Sequence, residues 1–167
     1  MKTSPILTSG RRGYGQLIAA AEYAKSPLLL AVRLYWGWQF FTAGKGKLLD
    51  LPATAGFFKE LGIPLPMANA VLAASTECFG GLLLLLGLAS RITAIPLIVT
   101  MIVAYLTADI DVVKGIFSDP DAFVSASPFL FLFASLLVLV FGPGAFSIDR
   151  LLARKFRGEP AATLAAA

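Results

Sequence analysis

An ionisable side chain deep in an apolar stretch is costly, and Glu77 stands near the centre of the run from Met67 to Ala89, roughly 15 Å from either end if the run is helical. Helical steps from Glu77 reach Ala70, Ala73, Ala74, Gly80, Gly81 and Gly87, the kind of small-residue surface through which membrane helices approach one another. The carboxyl is therefore expected to face protein rather than lipid. A second charge, Arg33, interrupts the stretch from Pro27 to Gly44 among Trp36, Gly37, Phe40 and Phe41. Groups of this kind at such depth fix helix registry as a buried ion pair, handle a proton, or polarise a bound ligand. If the first helix starts at Ser26-Pro27 and runs outward, Arg33 lies about 10 Å from its inner end and Glu77 about 15 to 18 Å from the same face. Two long side chains bridge that difference, so pairing, directly or through one polar intermediary, is expected. Lys45, Arg91 and Asp149 complete the buried polar or ligand-contacting candidates.

Much chemistry is excluded by residue type. There is no histidine and one cysteine, so the usual haem, zinc, iron–sulfur and internal disulfide sites have no ligand set, and no catalytic residue is assigned. Cys78 adjoins Glu77 but points about 100° away round a helix, which suits a small core residue. Asp109, Asp111, Asp119 and Asp121 share one connection without the spacing of a complete calcium loop, and solvated acids are expected.

The elements that hold these residues follow from composition. The 167 residues are 57% hydrophobic and 14% charged, with a mean hydropathy of +0.80, too apolar for a soluble domain. Four runs approach spanning length: Pro27 to Gly44, Met67 to Ala89, Ile92 to Ala108 and Ala122 to Gly142. The expected fold is all-α, a four-helix transmembrane bundle with short interfacial helices, divided into a cytoplasmic segment 1–26, a membrane domain 27–144 and a basic tail 145–167. Ser26-Pro27 is a cap and first-turn proline. A helix after Thr54 carrying Phe57, Phe58 and Leu61 on one side is placed on the outer surface, as is a second interfacial piece within Asp109 to Ser127. Pro128 stands either within the last span or at its first position, which leaves only about 20 Å. Gly142-Pro143-Gly144 stops that helix. Ser147 then caps a short one with Phe146, Leu151, Leu152 and Phe156 for the membrane and Arg150, Arg154, Lys155 and Arg157 for lipid headgroups.

Placing both termini in the cytoplasm puts Lys2, Arg11, Arg12, Lys25, Arg91 and the four basic tail residues inside, against Lys45, Lys47, Lys59 and Lys114 outside. That predicts a multi-pass inner-membrane protein, and no signal peptide is read at the N-terminus. The net charge of +4 is concentrated in the tails and points to anionic lipid rather than nucleic acid.

Taken in order, Arg33, Gly44-Lys45 with Lys47-Leu48, Glu77 with Gly80-Gly81-Leu82-Leu83-Leu84, Gly87, Arg91, Gly142-Pro143-Gly144, Ser147 and Asp149 resemble the DoxX family of small bacterial membrane proteins. The resemblance runs from about Leu28 to Leu152; the extended Asp109 to Ser127 connection is less typical of the family. It implies a four-helix inner-membrane protein associated with redox or sulfur metabolism, thiol stress or quinone-linked oxidoreductases. Without a redox centre of its own, the chain is expected to be an accessory or anchor subunit and not an enzyme by itself. It would bind membrane lipids, a protein complex or further copies of itself, and a quinone or lipid, with no covalently bound cofactor. Arg33 or Lys45 would donate to a quinone carbonyl, Glu77 would exchange a proton, and aromatic residues of the first helix would contact the ring. Two alternatives stand beside this: a small-solute or proton transporter or channel that uses Glu77, and a structural lipid-binding membrane protein.

Overall fold

The computed structural model describes residues 5–157, with side chains described for residues 14–156. Lys2 and the end of the tail lie outside the described residues, as do the side chains of Arg11, Arg12 and Arg157. The elements are α1 (Pro5–Leu49), α2 (Leu51–Glu60), α3 (Pro66–Leu86), α4 (Ser90–Thr107), α5 (Ile110–Lys114), α6 (Pro120–Ser125), α7 (Ser127–Phe141) and α8 (Ile148–Arg157). The expected all-α class holds, with no strand among the described residues. Two helices, α3 and α4, are long and apolar enough to cross a membrane.

The first helix differs most from its expected extent. It has 45 residues, about 68 Å at the helical rise, and carries Pro27 in its interior. Pro27 removes one backbone donor, but Ala19, Ala20, Ala21 and Ala24 upstream favour helix strongly enough to carry it through. Gly44 does not end the helix either. A Cβ at Gly44 would collide with the backbone nitrogen of Cys78 and lie 2.7 Å from the Ala74 carbonyl oxygen; at Gly37 it would lie 2.8 Å from the Leu85 nitrogen. Both glycines let α1 lie backbone to backbone against the small-residue face of α3, where Ala70, Ala74, Gly80 and Gly81 are buried. The chain turns after Leu49, where Asp50 caps α2 by accepting from Ala53 N at 3.1 Å.

At α7 the structure takes the shorter choice, with Pro128 in the first turn and 15 residues, about 22 Å. Contacts run from α1 to α3, α3 to α4, α4 to α7 and α7 back to α1, while α2 lies along α3. Phe40, Leu84, Leu97, Met101 and Val138 form the core between them. Phe131 meets Phe40 edge-on at 4.6 Å. At the far end Tyr105 donates its hydroxyl to the Phe123 carbonyl at 2.8 Å and stacks on that ring at 4.9 Å, tying the α6 segment to α4.

Candidate functional site

Glu77 is buried at 2% exposure, as its small-residue surroundings require. Its partner is Lys47, whose ammonium donates to the two carboxylate oxygens at 2.5 and 2.7 Å. The expected pairing with Arg33 does not form. The α1–α3 seam is antiparallel, with Gly37 opposite Leu85 and Gly44 opposite Cys78, so Arg33 comes level with Gly87 and Glu77 with the stretch from Gly44 to Lys47. Arg33 and Lys47 stand fourteen residues apart on α1, about 21 Å. Depths counted from a helix start at Ser26 fall within reach of each other, but α1 begins far earlier and ends later, and the seam register separates them.

Lys47 continues the seam face Arg33, Gly37, Phe40 and Gly44 by a further step of three, whereas Lys45 is turned about 100° from Gly44 and is exposed. Lys45 is therefore not a buried polar group. The periodicity of the α1 glycines carried that signal.

The ion pair borders a cavity of about 440 Å³ between α2, α3 and α4. Phe57, Phe58, Leu61, Leu72, Val99 and Val103 give it apolar walls. The hydroxyls of Thr100 and Thr107, also in the wall, donate to Pro96 and Val103 carbonyls of their own helix at 2.9 and 2.8 Å. Asn69 is engaged with the Pro64 carbonyl at 2.6 Å. Lys47 and Glu77 are thus the charged groups that can meet a ligand there. Two of Lys47's three N–H bonds go to Glu77, leaving one donor.

Arg33 belongs to a different construction. It is fully buried, and its Nη2 donates to the Phe146 carbonyl, while Nε and Nη1 have no partner among the described residues. Gly87 ends α3 in the left-handed conformation at φ 69°, and a Cβ there would collide with the Arg33 guanidinium. The carboxylate of Asp149 accepts from Ala89 N at 2.6 Å and Ser90 N at 2.9 Å, capping α4 from a distant part of the chain. Its own N–H donates to the Gly87 carbonyl at 2.9 Å. Ser147 accepts from Arg150 N at 3.2 Å as the expected cap of α8, and Ala145 N donates to Ser26 Oγ at 3.3 Å. Here α8 and the turn before it lock the α3–α4 hairpin onto α1.

Arg91, expected among the buried polar groups, is exposed and donates to the Val140 carbonyl at 3.2 Å, because its place in the first turn of α4 turns it toward the end of α7. On α8, Arg150 and Lys155 are exposed and Arg154 half-buried, with Leu151, Leu152 and Phe156 also exposed. No cluster of metal-binding type occurs among the described residues. Asp119 caps α6 through Ala122 N at 3.1 Å, Asp111 pairs with Lys114 at 3.2 Å, and Cys78 is a buried free thiol in the seam.

A model of the DoxX family matches residues 28–110, a range that holds Arg33, Lys47, Glu77, Gly87 and Arg91. The chain is 30% identical over 129 residues to "Inner membrane protein YqjF" of Escherichia coli, covering 77% of this chain and 94% of that protein. It is 29% identical over 136 residues to "Uncharacterized membrane protein Rv3486" of Mycobacterium tuberculosis, covering 77% and 83%. Against "Putative oxidoreductase CatD" of Bacillus subtilis it is 36% identical over 78 residues, 47% of this chain and 57% of that one. No solved structure matches the chain.

Proposed function

Because this chain belongs to the DoxX family of membrane proteins, we propose that it is an inner-membrane accessory subunit of a quinone- or sulfur-linked redox system. In this reading α1, α3, α4 and α7 form a four-helix transmembrane bundle with both termini cytoplasmic. The reading of α7 as a span requires α6 and the turn at Gly142 to lie in the two interfaces, since α7 alone covers only about 22 Å. The lysine and arginine count supports the orientation: by sequence nine fall on the side of the termini and four, Lys45, Lys47, Lys59 and Lys114, on the other.

The observation that carries the ligand site is the Lys47–Glu77 pair at the wall of the 440 Å³ apolar cavity. A quinone supplies reversible two-electron, two-proton chemistry when bound. The residues fit such a group: Lys47 retains a donor for a carbonyl oxygen, Glu77 holds a carboxyl out of water beside it, and Phe57 and Phe58 offer ring surfaces. In this reading electrons reach the site from a partner protein, since the chain has no histidine for the usual haem ligation. The word oxidoreductase in the name of the Bacillus subtilis relative supports a redox association. A proton or solute path from Glu77 toward Arg33 has less support, because Phe40 and Leu84, both fully buried, fill the interior between them.

Short-chain ubiquinone and menaquinone analogues titrated into the purified full chain test the reading. Saturable binding is expected, weakened about tenfold in Glu77→Gln and Lys47→Met, as for loss of one charge-assisted contact, and unchanged in Lys45→Gln. Non-saturable partitioning that is the same in all four proteins would overturn it.

A further inference from the structure

A second cleft, of about 660 Å³, opens at the other end of the molecule, between the start of α4, the end of α7 and α8. Three cations border it: Lys25 from α1, Arg91 from α4 and Arg150 from α8. Two acids border it as well. Asp149 has its carboxylate committed to Ala89 N and Ser90 N. Glu22 approaches Lys25 only to 3.9 Å, between exposed side chains. Three cations against two acids leave the cleft lining with a net positive charge. Ser90 lies in its wall, fully buried, and its hydroxyl has no hydrogen-bond partner among the described residues. A buried hydroxyl left without a partner calls for one.

We propose that this cleft is a binding site for a phosphate ester, with the Arg91 and Arg150 guanidinium groups and the Lys25 ammonium around the phosphate oxygens and the Ser90 hydroxyl donating to one of them. Guanidinium groups suit this task because their planar donors match phosphate geometry. The N-terminus of α4 adds nothing directly, since Asp149 already caps it. The site is separate from the Lys47–Glu77 cavity and does not depend on the ligand proposed for that cavity.

The test uses the full chain in nanodiscs of phosphatidylglycerol or phosphatidylcholine, with native mass spectrometry of retained lipid and equilibrium dialysis of inorganic phosphate. The wild type is expected to retain phosphatidylglycerol over phosphatidylcholine, or to bind inorganic phosphate saturably in phosphatidylcholine discs. The first outcome assigns a lipid headgroup as the source of the phosphate and the second a soluble compound. Either property should fall about tenfold in Arg91→Gln with Arg150→Gln, and about threefold in Ser90→Ala, the scale of a charged and a neutral hydrogen bond. Arg154→Gln with Lys155→Gln, on α8 outside the cleft lining, should change it by less than about twofold. Wild-type protein with no lipid preference and no saturable phosphate binding overturns the proposal without any variant. So does an equal loss from the Arg154/Lys155 pair and from the cleft residues. If the Arg91/Arg150 variant fails to fold, Lys25→Gln and Ser90→Ala decide, and unchanged binding in both counts against the site.

Discussion

Arg33 and Glu77 are both buried, at 0% and 2% exposure, and both lie on the α1–α3 seam, yet their surroundings differ in kind. Arg33 is held by the Phe146 carbonyl in a knot where Gly87 and Ser147 close on the guanidinium, and it does not itself line the cleft bordered by Ser90 and Asp149. Glu77 is held by Lys47, a side chain 37% exposed, at the wall of a large apolar space. One charge joins distant segments of the chain, and the other is left where a ligand can reach it. A buried charge in a membrane protein is thus not by itself a functional signal; whether its neighbours enclose it or leave a donor facing a cavity decides that.

If the knot is scaffold, its removal should cost the most. Asp149→Ala leaves the Ala89 and Ser90 N–H groups at the start of α4 without their charged acceptor, and should lower stability by about 3–5 kcal/mol, read from denaturant unfolding followed by circular dichroism. A loss no larger than that of an ordinary surface substitution would erase the difference between the two regions. The Lys47–Glu77 pair should be milder. Lys47→Met strands a buried carboxylate and should cost about 1–3 kcal/mol in the same assay, more than Glu77→Gln, because Lys47 alone can turn to water. The reverse order would mean that the lysine, not the glutamate, is the confined partner.

Double-mutant cycles sharpen the contrast further. Arg33 and Glu77 should show a coupling within about 0.5 kcal/mol of zero, as expected for groups on separate levels of the seam, whereas Lys47 and Glu77 should couple measurably. Lys45→Gln should be the weakest change of all, within about 0.5 kcal/mol of wild type, since its side chain is exposed.

What could be read in the sequence was local. The small-residue face of α3, the Gly142-Pro143-Gly144 stop and the Ser147 cap depend on helical period and turn chemistry within a few residues, and the structure has them all. The Arg33–Glu77 level was not readable because it depends on where two helices meet, and Pro27 suits a first turn as well as a tolerated interior position. Lys45 and Lys47 differ by two positions, about 200° round a helix, which puts one in solvent and the other beside Glu77. Asp149 could be seen as part of α8, but its bonds to Ala89 and Ser90 join residues some sixty positions apart, and no local pattern announces them. The cavity was equally hidden, since it forms only when α2 packs along α3.

The most direct test of the division between scaffold and ligand site is photolabelling of the full chain with an azidoquinone, followed by peptide mapping. The predicted adducts fall on the cavity wall, at Phe57, Phe58, Leu72 or Val103, and diminish in Glu77→Gln. Saturable labelling confined to the peptides of Arg33 and Phe146, unaffected by Glu77→Gln, would contradict it.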